Sequence, residues 1–271
     1  MKNLILFLVK YGSFFLFVFL QLFCFYMMIN YNQKQNSIFV NSSNLFAGYI
    51  TQKSQQVFNF MNLDQENDEL RKENSKLLQV IINNNIKRYN NDLDTTNNQY
   101  VIIGSNICGK TTNVRNNFIT LCKGEIDGLV PGMGVIDEIG VVGIIKDVSS
   151  HYASVVSVLH TQSRISVSLK NQNHHGSLEW NGDDQRVGIV KAIQKYASFN
   201  VGDTIVTSGY STVFPKGLPV GTIKQYELDP SGETFIIDIN LFSDFSSIKN
   251  VYVIKSLLKE EFDLLKTEEN E

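Results

Sequence analysis

Residues 140–160 of the chain read GVVGIIKDVSSHYASVVSVLH. This stretch contains two runs of small and β-branched apolar residues, 140–145 and 154–159. Short runs of this kind are typical of strands that are buried in a core. Further along the chain, residues 165–169 and 235–241 alternate apolar with polar side chains. That period of two puts one face of a strand toward a core, so the sequence predicts a mainly β domain.

Turn sequences separate the predicted strands. They include Pro-Gly-Met-Gly at 131–134, Asn-Gly-Asp-Asp at 181–184 and Asp-Pro-Ser-Gly at 229–232. Gly, Pro, Asn and Asp favour turns through their special backbone and side-chain geometry. We expect about ten short strands and no helix over 101–255, which indicates an all-β barrel or sandwich. Residues 256–271, with six acids against two Lys, are predicted to form a solvated acidic tail.

A helical segment is expected before the β domain, because no Gly or Pro occurs between Gly48 and Gly104. Leu recurs there every seven residues, and Asn occupies two of the intervening a positions. That combination is typical of a parallel two-stranded coiled coil. We predict the coil over 56–90 and a flexible linker over 91–100. The predicted dimerisation residues are Phe60, Leu63, Asn67, Leu70, Asn74, Leu77 and Ile81.

The same heptad register predicts an ion pair between two copies of the chain. Glu66 falls at position g and Arg71 at the following position e, the spacing of an interchain g–e′ pair. An exposed pair of this kind stabilises by only about 0–1 kcal/mol, so it would set register more than stability. The alternative to a dimeric coil is a single amphipathic helix that docks on its own β domain.

The N-terminal segment is predicted to be a membrane anchor. Seven of the 18 Phe lie in the first 30 residues, and no charged side chain occurs from Tyr11 to Gln33. About 20 helical residues cross a bilayer core, so we predict a span over 11–31. A cleaved signal peptide is disfavoured by the length of the run and the lack of small residues after it. Lys2 and Lys10 place residues 1–10 in the cytoplasm and the chain from 32 onward outside, with 32–55 as a juxtamembrane segment.

Composition disfavours several classes of function. Lys and Arg number 24 against 27 Asp and Glu, a net charge of −3, which does not provide the basic face of a nucleic-acid-binding protein. The adjacent His174 and His175 would point to opposite faces of a strand and could not easily share a metal. No metal or cofactor site is predicted. Cys108 and Cys122 could form a disulfide across a hairpin near 113–117, or remain two buried free thiols.

A serine protease on a β-barrel fold would need a Ser nucleophile, a His base and an Asp. Gly-Asp-Thr at 202–204 has Thr204 where such a loop would carry Ser, and Ser208 lies in what reads as an ordinary turn. His151 and His160 precede both candidates. The sequence therefore disfavours proteolysis, and no catalytic residue is assigned.

Several segments in order resemble the bacterial rod shape-determining protein MreC family. They are NNFITLCKG at 116–124, DGLVPGMGV at 127–135, VVGIIKDV at 141–148, VLH at 158–160, GSLEWNG at 176–182, VGDTIVTSGY at 201–210 and FPKGLPVGT at 214–222. Each segment alone is weak, being turn glycines and β-branched residues. Their order and spacing behind a predicted span and coil make the resemblance specific.

The resemblance implies two small six-stranded β-barrels behind the helical segments, without a catalytic triad. Motif residues are then structural, with glycines where a turn or close strand contact excludes a Cβ and Trp180 as a core or groove aromatic. These residues are Gly134, Gly143, Trp180, Gly182, Gly209, Phe214, Pro215, Gly217 and Gly221.

For function, the resemblance implies a non-enzymatic, dimeric scaffold in the inner membrane that acts in cell shape. Its implied partners are an MreD-like membrane protein, the actin-like MreB system and the elongation-specific penicillin-binding transpeptidase. The scaffold would organise these peptidoglycan synthases from the periplasmic side. A periplasmic adaptor of a secretion or efflux assembly is the second hypothesis, although such adaptors insert a helical hairpin between two β halves. A membrane-tethered trypsin-like protease is the third.

Overall fold

A computed structural model describes residues 11–31, 63–85, 99–170, 172 and 174–259 of the chain. Phe60, the predicted juxtamembrane segment and most of the predicted linker and acidic tail lie outside these residues. The chain divides between Asn67 and Asp68 into two units, and each is described by itself.

Within the described residues, two α-helices precede the strands. Helix α1, Gly12–Tyr31, has no acidic residue in its first turn and no basic residue in its last, and its described apolar side chains are exposed. Among residues whose side chains are described, no helix is long and apolar enough to cross a membrane. Helix α2 covers 63–85 of the described residues.

Twelve strands follow α2 and form two closed barrels. Barrel 1 is built from six strands in the order β1-β12-β3-β4-β5-β2. Its strands are β1 Tyr100–Lys110, β2 Asn116–Leu121, β3 Gly134–Ile136, β4 Val141–Val148, β5 Ala153–His160 and β12 Asn250–Ser256. Barrel 2 has the order β10-β11-β8-β7-β6-β9. Its strands are β6 Ile165–Leu169, β7 His175–Glu179, β8 Val187–Gln194, β9 Thr204–Thr207, β10 Pro219–Leu228 and β11 Thr234–Leu241.

The mainly β class and the pair of six-stranded barrels are confirmed. The structure has more strands than the ten expected, because short strands such as Gly134–Ile136 carry too few residues to show a period. The domain also contains a single 3₁₀ turn among its described residues, Glu125–Asp127, where no helix was expected. All the strand pairs are antiparallel, and bulges interrupt several of them, for example between Ile107 and Gly109.

The chain does not finish barrel 1 before it builds barrel 2. After five strands of barrel 1 it forms all six strands of barrel 2, then returns as β12 between β1 and β3. In the closing pair, Tyr100 lies opposite Ser256 and Asn106 opposite Asn250. Barrel 1 is therefore closed by the two ends of the β domain.

The inward-facing residues of both barrels form the core. In β11, Ile237 and Ile239 are fully buried while Asn240 is exposed, as the period of two predicts. The runs in β4 and β5 are buried on most positions, as expected for strands in a core. The largest fully buried aliphatic side chains include Leu121, Leu129, Ile145, Leu159, Leu169, Leu178, Ile193, Ile205, Ile223 and Ile237.

Candidate functional site

Helix α2 packs against the first half of β1. That half pairs with β12 on one side, whereas the pairing of β1 with β2 begins only at Ile107. The Asn83 side chain binds the backbone of this strand: its Nδ2 donates to Tyr100 O (3.0 Å), and its Oδ1 accepts from Gln99 N (3.0 Å) and Tyr100 N (3.1 Å). Gln79 Oε1 accepts from Ile102 N at 3.3 Å. Side-chain amides of α2 thus replace the neighbouring strand that this edge lacks.

The helix approaches β1 closely at Gly104. A Cβ on Gly104 would lie 2.7 Å from Ser75 Oγ and 2.9 Å from Arg71 Cγ, so a side chain there would push the helix away. Ser75 Oγ donates to the Arg71 carbonyl at 2.8 Å, and Ile82 is buried on the same face. The docked helix that the sequence left open as an alternative is therefore present.

The predicted coil seam lies on a different face of α2. Leu63, Asn67, Leu70, Asn74, Leu77 and Ile81 are all exposed, with Leu70 at 51%. At about 100° per residue, the seam and the docked face are separated by roughly a third of a turn. One helix can therefore hold barrel 1 with one face and present an apolar stripe with another.

The predicted ion pair between Glu66 and Arg71 is not supported. Arg71 Nη1 lies 2.8 Å from Asp68 Oδ1 of its own helix, and the Arg71 side chain is only 13% exposed. The heptad places Arg71 beside the seam, but its side chain turns toward Gly104 of β1. Arg71 therefore belongs to the docked face.

The loop between β9 and β10, which carries Phe214 and Pro215, packs barrel 2 against barrel 1. Phe214 is 2% exposed, and a Cβ on Gly134 of β3 would lie 2.5 Å from its ring. Thr207 anchors the loop, since its Oγ1 donates to Pro215 O and accepts from Leu218 N at 2.9 Å. The absent Cβ of Gly134 thus makes room on barrel 1 for an aromatic ring from barrel 2.

The other motif residues lie at turns or close strand contacts. Trp180 is buried, and its Nε1 donates to Asp184 O at 2.8 Å. A Cβ on Gly209 would lie 2.7 Å from Lys216 Cβ, and the Gly209 φ of +77° would strain any other residue. Gly143 and Gly221 lie against backbone oxygens of neighbouring strands. Gly182 and Gly217 also have positive φ.

Cys108 and Cys122 form a disulfide, with their Cα atoms 5.3 Å apart. It joins β1 to the residue after β2, across the hairpin. Of the two alternatives that the sequence left open, a disulfide or two free thiols, the structure has the disulfide. Cys24 in α1 is a free, exposed cysteine.

The residues considered for proteolysis are engaged elsewhere. Ser208 Oγ donates to Ser166 Oγ at 2.8 Å. His160 stacks edge-on against Phe118 with ring centroids 5.1 Å apart, and its Nδ1 accepts from Gln162 N at 3.1 Å. Burial lowers the pKa of His160, and the nearby Lys146 lowers it further. Thr204 begins β9.

Two adjacent histidines lie at the start of β7. His174, directly before the strand, and His175, its first residue, contact different rings, those of Tyr196 and Tyr210. No group of three metal-ligating side chains occurs within the part of the chain that the structure describes. Only residues 161–164 separate β5 from β6, which leaves no room for the helical hairpin of an adaptor between the barrels.

Comparison with known families agrees with this architecture. The profile described as "Rod shape-determining protein MreC, barrel core" matches residues 107–255, which covers both barrels except the start of β1 and the last residue of β12. The chain belongs to the MreC family. Its resemblance to that family, seen first in the turn glycines and β-branched strands, is confirmed.

Curated relatives of this MreC-family chain are cell shape-determining proteins. That of Listeria monocytogenes is 25% identical over 196 residues, 71% of this chain and 63% of the relative. That of Cereibacter sphaeroides is 29% identical over 138 residues, 51% of this chain and 43% of the relative. The chain thus matches less than two thirds of the length of these relatives.

Solved MreC structures share the fold. The Listeria monocytogenes structure has a TM-score of 0.56 at 23% identity and covers 76% of this chain and 94% of its own. The Pseudomonas aeruginosa structure has a TM-score of 0.52 at 24% identity and covers 56% of this chain and 97% of its own. The Listeria monocytogenes structure covers more of this chain than the barrel core alone.

Sequence reasoning missed Gln79 and Asn83, which hold α2 on barrel 1. Both are polar residues in a segment rich in Asn, where solvent exposure was the natural expectation. Their spacing of four residues places them on one helical face, next to Ser75 and Ile82. This spacing is the signal that could have indicated a second, docked face.

Proposed function

We propose that this chain is a membrane-anchored, dimeric and non-enzymatic scaffold of the cell-elongation machinery. It would form and maintain cell shape by organising peptidoglycan synthases on the periplasmic side of the inner membrane. The observation that carries the proposal is the match of the MreC barrel core to residues 107–255, with a helix that is docked on barrel 1 and still exposes an apolar seam.

Helix α1 would be the anchor. Its 20 residues, Gly12–Tyr31, contain no Asp, Glu, Lys or Arg, and a helix of about that length matches the thickness of a bilayer core. Lys2 and Lys10 precede it, which favours a cytoplasmic N-terminus. Support for this orientation also comes from the Cys108–Cys122 disulfide, because disulfides persist on the oxidising side of the membrane.

Dimerisation would bring the exposed seams of two α2 helices together. We expect Leu70→Cys, made with Cys24→Ser to remove the free thiol, to form a covalent dimer when membranes are oxidised, because d positions face each other in a parallel coil. Glu69→Cys in the same background is the matched control, one residue off the seam, and should remain monomeric on a non-reducing gel. A monomeric Leu70→Cys protein would contradict the dimer.

Partners are proposed from family membership. They are an MreD-like membrane protein and the actin-like MreB system on the inner side, and the elongation-specific penicillin-binding transpeptidase outside. A dimer would present each barrel surface twice, which raises the effective concentration of bound synthases without any new contact.

The scaffold role is tested by depletion and complementation. Cells depleted of this protein should round and swell, and the wild-type gene should restore rods. A Leu70→Asp/Leu77→Asp variant charges the seam without touching the docked face, so it should accumulate normally and fail to restore shape. The control is Glu69→Lys, which changes charge next to the seam and should complement. Unchanged shape on depletion, with a transport defect, would favour the adaptor instead.

A further inference from the structure

A cleft of about 360 Å³ lies between α2 and β1. The helix contributes Arg71, Lys72 and Lys76 to its wall, and Lys123 joins them from the end of β2. Asp68 is the one carboxylate among the lining residues, and it already binds Arg71. The cleft is therefore strongly cationic, although the whole chain has a net charge of −3.

Two of these cations repel each other. Lys72 and Lys76 are spaced four residues apart, so they are neighbours on the same side of α2, where like charges destabilise a helix. Neither forms an ion pair within the described residues, whose salt bridges involve other side chains. Lys123 has only a long contact of 3.9 Å to Asp127. The positive charge of the cleft is therefore only partly neutralised by ion pairs of the described residues.

Arg71 also has an unused donor. Its Nε is buried and has no hydrogen-bond partner among the described residues, although its Nη1 binds Asp68. A buried charged donor without an acceptor destabilises the fold. Arg71 also lines the cleft, and a guanidinium group matches a phosphate group in geometry.

We propose that this cleft binds a phosphate group, with Arg71 as the directional donor and Lys72, Lys76 and Lys123 as neutralising charges. A ligand with more than one negative charge fits best, because the cations outnumber the one carboxylate. The phosphate could belong to a lipid headgroup or to a soluble phosphate compound, and the chemistry of recognition is the same for both.

The first test is calorimetric titration of the full-length protein in detergent with inorganic pyrophosphate. We expect Lys72→Gln/Lys76→Gln to weaken binding by about tenfold or more, the effect of losing charge-assisted contacts. Without ligand, the same variant should be at least as resistant to unfolding as the wild type, because the like-charge repulsion is removed. The charge-matched control is Lys195→Gln/Lys224→Gln, two exposed lysines of barrel 2, which should leave binding unchanged.

The second test separates the two sources of phosphate. The full-length protein is placed in phosphatidylcholine nanodiscs, and lysine labelling is read by mass spectrometry. Protection of Lys72 and Lys76 by phosphatidylglycerol in the disc indicates a lipid headgroup, whereas protection by added pyrophosphate in a pure phosphatidylcholine disc indicates a soluble phosphate. Lys195 should react equally in all samples. If neither addition protects the two lysines, or the double variant binds pyrophosphate like the wild type, the proposal is wrong.

Discussion

The single side chain of Asn83 binds three backbone groups at the edge of β1. It is 5% exposed and binds Tyr100 O, Tyr100 N and Gln99 N. Asn83→Ala would leave three backbone groups of the β1 edge without these partners. We expect the free energy of unfolding to fall by about 1–3 kcal/mol, the cost of unsatisfied buried groups.

The measurement for Asn83 is chemical denaturation of the full-length protein in detergent. Asn84→Ala is the matched control, because Asn84 is the next residue of the helix and is exposed. Equal midpoints for the two variants would mean that the amide of Asn83 does not hold α2 on barrel 1.

Gly134 of barrel 1 lies against the ring of Phe214 from barrel 2. We expect Gly134→Ala to destabilise the protein by about 1–3 kcal/mol, because the added methyl overlaps the buried ring. Phe214→Leu in the same chain should recover part of that loss, so the two changes will not add. Gly109→Ala is the control, since its Cβ would make only ordinary contacts of 3.9 Å with Thr120. Additive effects in thermal unfolding would contradict the contact.

The sequence predicted a structural role for particular glycines, but it did not predict which residues they contact. Turn glycines such as Gly209 stand in recognisable Gly-rich turns. The partner of Gly134 lies 80 positions away in the second barrel, and no local pattern links the two. Asn83 was hidden for a different reason, because an Asn in an Asn-rich segment carries no signal of burial.

Among elements, the β1–β2 hairpin is held by Cys108–Cys122, which are 14 residues apart. Closing a loop of that size restricts the unfolded chain, so reduction should lower the free energy of unfolding by about 3 kcal/mol. Unfolding with and without dithiothreitol measures the effect, and Cys108→Ser/Cys122→Ser should match the reduced wild type.

A control for the disulfide is Cys24→Ser, which removes a thiol outside the bond and should leave the response to reductant intact. Mass spectrometry of alkylated, unreduced protein gives an independent answer. Labelling of both Cys108 and Cys122 would show that the bond does not form.

Helix α2 illustrates what a periodicity can and cannot reveal about an element. The heptad of Leu63, Leu70 and Leu77 predicted one apolar face, and those residues are exposed in the single chain. The docked face combines side-chain amides that bind the edge of β1 with the apolar Ile82 and Leu78, which pack into the core. The Leu heptad does not reveal this face, although Leu78 and Ile82 on it are four residues apart, the spacing of neighbours on one side of a helix.

Over the whole molecule, the junction of the barrels contains a buried histidine. His160, the last residue of β5, is 5% exposed, and burial lowers its pKa below the usual value. The unfolded chain therefore binds a proton more readily than the folded one as pH falls below about 6.5. The contribution of neutral His160 to the free energy of unfolding is fully present above that pH. It is lost as the solution becomes more acidic.

We therefore expect the denaturant concentration at the midpoint of unfolding to be lower at pH 5.5 than at pH 7.5. The decrease should be smaller in His160→Gln. His151→Gln, at an exposed position, should keep the wild-type pH response. His175, whose pKa is also lowered by burial, should leave part of the response in place, and His160→Gln/His175→Gln should reduce it further. A pH response unaltered in the double variant would exclude these two histidines as its cause.

The class of the whole domain was predictable because period two and turn residues are local. The particular strand pairing that closes barrel 1 was not predictable, because β1 and β12 lie at opposite ends of the domain. Tyr100 pairs with Ser256, and nothing in either segment identifies the other.

The return of β12 to barrel 1 has a consequence for the order of assembly. All six strands of barrel 2 are consecutive in the chain, so this barrel can close as soon as its last strand has been delivered. Barrel 1 has its first five strands earlier but must wait, with the edges of β1 and β3 unpaired, until residues 250–256 arrive. Barrel 1 is thus begun first and completed last. Strand pairing between segments so far apart in the sequence is slow. Until then, the two open edges of barrel 1 are the surfaces most exposed to wrong pairing.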